Sequence, residues 1–338
     1  MPLTLEDIAK MASVSRSTVS RVLNGDENVN EETRKKVEEV IRRVNFQPNI
    51  AARGLAAGRT GIIGLVIPAG VSAIFTDPYF PQLIQGVTSV CNANDYSVML
   101  WLAEPMQERR TIRQILYGGL LDGVIVSSML IDDPIVLALH ESHKPFVLVG
   151  RHPTLDVNYV DVDNIYGARE ATRHLLRLGR QRVATITGPL NMIAGRDRYQ
   201  GYCEALESFG QSLQQALVVE GDFSELSGYL GMKKLLPHRP DAVFVATDTM
   251  AMGALRALRE ANVRIPDDIA LVGYDDMPMA SQFNPPLTTV RQPIVKLGAS
   301  AMQMLLDVMQ RSETHTRHLI LPTELVVRAS CGSIQGGD

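Results

Sequence analysis

Residues 7–24, DIAKMASVSRSTVSRVLN, decide how the amino-terminal end of this 338-residue chain folds. They read as two short helices joined by a tight turn. The first runs from about residue 5 to 11. The second opens at Ser15, whose hydroxyl can cap its free N–H groups, and stops at Asn24-Gly25, a common C-terminal signal. Ala9, Val14, Val19, Val22 and Leu23 are expected to close a small apolar core beneath both. The second helix carries Ser15, Arg16, Ser17 and Thr18 at its start, then Ser20, Arg21 and Asn24. Such a polar helix, held rigidly, is what the major groove of DNA accepts. A third helix follows over 31–44, capped by Asn30, with Val37, Val40, Ile41 and Val44 along one face. A plain helical bundle is the competing reading.

Working outward, residues 48–60, PNIAARGLAAGRT, have the composition of a linker. Asn49 could cap a short helix there, but Gly54 leaves it marginal in isolation. From Gly61 the pattern changes to short apolar runs at 61–67, 97–102, 122–127, 145–149, 183–187, 217–220, 242–246 and 269–273. Amphipathic helical stretches such as 164–178 and 248–261 lie between nearly all of them. That alternation predicts parallel sheets covered by helices on both faces. About 275 residues is large for one sheet, and a polar strand-like stretch at 157–162 sits midway, so two sheets with a cleft between them are expected.

Composition excludes several classes. The 45% hydrophobic and 21% charged residues are ordinary for a globular protein. Cys91, Cys203 and Cys331 are distant and odd in number, giving neither a disulfide framework nor a metal-ligand spacing, so a reducing cytoplasm is expected. No apolar run approaches the ~20 residues of a membrane span, and the first residues lack a secretory signal pattern. The net charge of −4 is uneven: residues 1–60 hold 10 Lys or Arg against 8 Asp or Glu, leaving 23 against 29 elsewhere. Positive potential therefore sits at the end expected to meet phosphates.

In open parallel sheets ligands bind beyond the carboxyl ends of the strands. Here the apolar runs end in conspicuous polar groups: Arg151 after 146–150, Thr247 and Asp248 after 243–246, and Tyr274, Asp275 and Asp276 after 270–273. A glycine-punctuated loop after 185–187 leads to Arg196 and Arg198, and 217–220 gives way to Gly221, Asp222 and Phe223. Carboxylates, guanidinium groups and an aromatic face suit a small polar ligand. Each alone reads as a cap or a surface charge; their recurrence at strand ends is what counts. His140 and His143, like His315 and His318, lack a third ligand and read as exposed helix or surface residues. No dinucleotide, P-loop or nucleophile-elbow motif is present, so no metal, cofactor or catalytic residue is expected.

The headpiece residues, together with NEETRKKV, NFQPN and AARGLA in that order, resemble the LacI/GalR family of transcriptional regulators. GAREATRHLLRLGRQRVATITGP, RDRYQGY, GDFSELSGY, DAVFVATDTMAMGALRAL and IALVGYDDM extend the resemblance over essentially the whole chain. It implies a helix-turn-helix headpiece (1–47), a hinge-helix linker (48–60) and a periplasmic-binding-protein-like core (61–338). That core would comprise two doubly wound parallel-sheet subdomains with the chain crossing between lobes three times. It also implies a homodimer on a near-palindromic operator. Arg16 and Ser17 match base-reading positions, with Arg21 nearby, and either Arg suits a guanine. Leu5, Ser15, Thr18, Ser20, Asn24, Asn28, Asn30 and Thr33 match phosphate and register contacts. Leu55 matches the apolar wedge inserted into the minor groove, with Ala52 beside it. Ser13 departs from the Gly or Asn frequent in relatives at that turn, and takes its geometry less readily.

In the cleft, Arg198, Asp275 and Thr247 match recurrent effector-binding positions, Phe223 an aromatic that stacks on the ligand ring, and Tyr79 and Phe80 the wall of the first loop. Asp77 and Arg151 are further expected hydrogen-bonding partners. Met192 and Ala194 stand where purine-responsive relatives place Arg and Thr, which favours a sugar or sugar derivative over a purine or nucleoside. The expectation is a ligand-controlled repressor. A solute-binding protein with the same two-lobed body is the runner-up, and a sugar-acting enzyme would need a second carboxylate suitably placed. The ending SCGSIQGGD, without a leucine-heptad tail, favours a dimer over a tetramer.

Overall fold

The computed structural model describes residues 3–23, 26, 28–46, 59–67, 71–102, 108–127, 130–310 and 315–333. The chain divides into two compact units, Met1–Gly61 and Ile62–Asp338.

Among the described residues, three helices build the first unit: α1 (Leu5–Ala12), α2 (Arg16–Leu23) and α3 (Glu31–Arg43). A capping box starts α1: Asp7 N–H donates to Thr4 Oγ1 (3.3 Å), and Thr4 N–H donates to Asp7 Oδ2 (2.9 Å). Ser13 ends it in the left-handed region, φ 54°, so the turn forms despite the Cβ there. Ser15 caps α2, accepting from Thr18 N–H at 3.1 Å, and Asn30 caps α3, accepting from Glu32 N–H at 2.8 Å. Ile8, Val19 and Val37 are fully buried at the centre, with Ala9, Val22 and Val40 around them. Burying a side chain of this size contributes about 1.5–3 kcal/mol.

The second unit carries two six-stranded sheets. In chain order its elements are β1 (Ile62–Ile67), α4 (Val71–Thr76), α5 (Tyr79–Ala93), β2 (Ser97–Leu102), α6 (Glu108–Tyr117), β3 (Gly123–Val126), α7 (Pro134–Ser142), β4 (Phe146–Val149), β5 (Tyr159–Val162) and α8 (Asn164–Arg177). There follow β6 (Val183–Thr187), α9 (Ile193–Ser208), β7 (Val218–Glu220), α10 (Glu225–Leu235), β8 (Ala242–Val245), α11 (Asp248–Glu260), β9 (Ala270–Asp275), β10 (Thr288–Arg291), α12 (Ile294–Gln310), β11 (His318–Leu321) and β12 (Glu324–Val326).

The orders are β11-β5-β4-β3-β1-β2 and β12-β10-β9-β8-β6-β7. In both, the first strand is flanked by the second on one side and the third on the other. That reversal opens a crevice at the carboxyl ends of the strands. In the first lobe α5 and α12 cover one face, and α6 and α7 the other. In the second, α10 and α11 cover one face, and α8 and α9 the other. The chain crosses between lobes three times, at Asp163, at Gln292-Pro293 and at Pro322-Thr323. The crossings brace each other: Asp163 N–H donates to Leu321 C=O, and Thr323 Oγ1 donates to Asp163 C=O.

Three strands escaped the pattern reading. β10, TTVR, is polar but central; β11, HLIL, leaves three of its four side chains exposed; and β12 is only three residues long. β12 also runs antiparallel to β10, so the second sheet is mixed rather than purely parallel. No helix among the described residues is long and apolar enough to cross a membrane.

Candidate functional site

Two regions gather polar residues that the packing does not require. On α2, Arg16, Ser17 and Arg21 are exposed, while Thr18 and Ser20 are half-buried. The Ser15 hydroxyl lies 2.7 Å from that of Ser17 and 2.8 Å from that of Thr18, which ties the first turn together. Arg21 lies 3.9 Å from Asp26, a long contact that solvent screens. Asn28 donates to Asp26 through both its N–H and its amide, and these bonds hold the Asp26 carboxyl below its usual range. Leu5 packs half-buried against the small core, and Thr33 is half-buried on α3. Asn24, Asn49, Ala52 and Leu55, with most of the expected hinge, lie outside the described residues.

In the second unit a cleft opens between the carboxyl ends of the two sheets. It holds about 710 Å3 of atom-free space, counting the part open to solvent. Asp77, Tyr79 and Phe80 come from the start of α5; Ser127, Val149, Gly150, Asp161 and Val162 follow or end strands of the first lobe. Met192, Ile193, Ala194 and Arg198 come from the start of α9, with Phe223, Thr247 and Asp275 from the strand ends of the second lobe. Asn164, Gln292 and Leu297 come from the crossings and α12.

Arg198 is the centre of this site. Its side chain is only 6% exposed. Nε donates to Asn164 Oδ1 at 2.9 Å, and Nη1 donates to Ala246 C=O at 2.6 Å and to Asp275 Oδ1 at 3.4 Å. The guanidinium carbon lies 3.7 Å from the centroid of the Tyr274 ring, a stacked cation–π contact. Asp275 also accepts from Gln292 Nε2 at 2.6 Å. Burial drives the Asp275 carboxyl well above its ordinary range, with Arg198 opposing that shift. Asn164 and Gln292 each sit at a lobe crossing, so the buried charged pair is tied to the segments that set lobe orientation.

The backbone at the site is unusual as well. Asp275 has φ 117° and Phe223 φ 70°, both left-handed; such strain persists only where surrounding contacts over-determine it. Gly188 makes room for the Phe223 side chain, because a Cβ there would collide with the ring. Thr247 caps α11, accepting from Met250 N–H at 3.1 Å. Asp77 accepts from Tyr79 N–H at 3.0 Å, and its carboxyl is nevertheless raised, chiefly by burial. Burial likewise raises the Tyr79 hydroxyl.

Seven of the eight expected effector residues, all but Arg151, line this one cleft. Arg151 does not line it. Its Nη1 pairs with Asp161 Oδ2 at 3.0 Å in the first lobe and with Asp197 Oδ2 of α9 in the second. It therefore bridges the lobes. The lobes also meet where Leu130 forms an antiparallel bridge with Met192, and Ile131 N–H donates to Asn191 C=O at 2.9 Å. Sequence reasoning missed Ser127, Asp161, Asn164 and Gln292. Asp161 was visible only as the one acidic residue inside the polar strand-like stretch, and Gln292 follows a strand that was itself missed.

A helix-turn-helix unit joined in one chain to a two-lobed ligand-binding unit defines a ligand-responsive DNA-binding regulator. Residues 4–49 match the family described as bacterial regulatory proteins, lacI family, and residues 172–331 match the periplasmic binding protein-like domain. The chain is 40% identical over 332 residues to the HTH-type transcriptional regulator CelR of Thermobifida fusca, covering 97% of this chain and 98% of that one. It is 34% identical over 343 residues to the ribose operon repressor of Escherichia coli (strain K12), covering 97% and 99%. Its fold matches the lac repressor dimer bound to operator and the anti-inducer ONPF, with a TM-score of 0.88 at 30% identity over 98% and 99% of the two chains. It matches a CelR–cellobiose complex with a TM-score of 0.78 at 37% identity over 97% and 99%.

The chain belongs to the LacI family of bacterial regulators. It is an effector-responsive DNA-binding transcriptional regulator and not an enzyme.

Proposed function

We propose that this protein is a sugar-controlled repressor that binds a near-palindromic operator as a homodimer in the cytoplasm. Residues 1–47 would read DNA, 48–60 would form the hinge, and 61–338 would bind effector and dimerise. Arg16, Ser17 and Arg21 would meet base edges. Leu5, Ser15, Thr18, Ser20, Asn24, Asn28, Asn30 and Thr33 would meet phosphates and set register, and Asn49, Ala52 and Leu55 would act at the operator centre. Effector in the cleft would shift the lobes and thereby the spacing of the two headpieces.

The observation that carries the sugar reading is the Arg198–Asp275 pair set among Phe223, Tyr79 and Thr247 in one cleft. Sugars present hydroxyls to charged and polar groups and an apolar ring face to aromatics. The relatives named for cellobiose and ribose point the same way. A purine-responsive relative, the repressor PurR of Escherichia coli, is 34% identical, so a purine is the second reading. Met192 and Ala194 line the cleft here, and neither offers a strong hydrogen-bonding group to a base edge.

The test is a thermal-shift screen of sugars and nucleobases, followed by selection of duplexes from a random pool with and without each hit. A sugar should raise the melting temperature, because a ligand that binds only the folded state stabilises it, and should change recovery of a symmetric duplex. Stabilisation by nucleobases alone, or no preference for any symmetric duplex, contradicts the proposal.

A further inference from the structure

We infer that the cleft takes an uncharged polyhydroxylated ligand and rejects the phosphorylated form of the same molecule. The inference rests on the reading of the cleft as the effector site and narrows it to a ligand class.

The charges around the cleft carry the argument. Asp77 and Asp275 line it against the single guanidinium of Arg198, while the third lining carboxylate, Asp161, is paired with Arg151, and no Lys or His is among the described lining residues. Nor is Arg198 free to serve as an anion clamp. A phosphate is best held by two parallel N–H groups from one edge of a guanidinium. Nε and Nη1 are already donating, to Asn164, Ala246 and Asp275, so each edge that includes them has lost a prong. Arg151, the next cation, is outside the lining and bound to Asp161 and Asp197.

Helix ends do not reverse the balance. The start of α9 reaches the cleft at Ile193 without a side-chain cap, but a helix terminus is worth about half an elementary charge. The first turn of α11 carries a carboxylate of its own, Asp248. Burial raises the carboxyls of Asp77, Asp161 and Asp275, the effect of surroundings that disfavour negative charge. A sugar hydroxyl relieves that by donating to a carboxylate. A phosphate dianion brings only acceptors and adds to the repulsion.

Calorimetric titration of the full chain with matched pairs tests this: glucose with glucose 1-phosphate and glucose 6-phosphate, ribose with ribose 5-phosphate, and cellobiose with cellobiose 6′-phosphate. For any sugar that binds, each ester should bind at least about tenfold more weakly, the scale expected of like-charge juxtaposition. An ester within tenfold of its sugar, or bound where the sugar is not, overturns the inference while leaving a sugar-type site in place. Binding of no sugar and no ester removes the sugar reading and the inference with it. Asp77→Asn and Asp161→Asn add a readout that a purely structural role would not move: the sugar-to-ester ratio should shrink. Equal weakening of both partners at an unchanged ratio counts against the charge argument.

Discussion

Arg16 on α2 and Arg198 on α9 are both expected to meet a ligand, yet their surroundings are opposite. Arg16 is exposed and has no ion pair among the described residues, whereas Arg198 is buried with four neighbours already engaged. The difference follows from what each would recognise. A major groove arrives with its own water and counterions, so reading groups can wait in solvent on a rigid helix. A small ligand must be enclosed, and enclosing an arginine is tolerable only when its donors are satisfied beforehand. Headpiece residues should therefore matter for binding alone, and cleft residues for binding and stability together.

The largest expected effect that could break this contrast is Arg198→Ala. It leaves Asp275 buried without its cation, so the unliganded second unit should lose about 3–5 kcal/mol, read by urea unfolding. A loss under about 1 kcal/mol would mean that the network contributes little. Arg16→Ala should change stability by no more than about 0.5 kcal/mol. It should instead relax discrimination at one operator position by about 1–3 kcal/mol, measured with single-base-substituted duplexes. A uniform loss across all duplexes would assign Arg16 to phosphate rather than base contact.

Asp275→Asn sharpens the comparison through pH. A carboxyl whose folded pKa is raised contributes stability that is complete below its unfolded value of about 3.9 and is lost as pH rises through the folded value. Asn does not titrate. The melting temperature of unliganded Asp275→Asn relative to the unaltered protein should therefore climb with rising pH. A flat or falling difference would show that burial of this carboxylate costs nothing.

How much could be read in advance differed between the regions for physical reasons. The headpiece is built from local signals: caps at Ser15 and Asn30, and an apolar spacing that brings Ala9, Val19 and Val37 together. Thr247, Phe223 and Asp275 were equally legible, because each follows an apolar run whose end marks the crevice. Asn164 and Gln292 were not, since their role comes from the crossings, which only the pairing of distant strands defines. Arg151 stands at a strand end like the others, but it pairs with Asp161 and Asp197, and no local pattern reports such a triad.

The account stands on coupling between cleft and headpiece, and reciprocity tests it most directly. Effector affinity should be measured for the protein alone and for the protein saturated with operator. A coupling of about 1–3 kcal/mol predicts dissociation constants that differ by roughly 5–150-fold, with the same factor recovered when operator affinity is measured with and without effector. Identical effector affinity in the two states would contradict it.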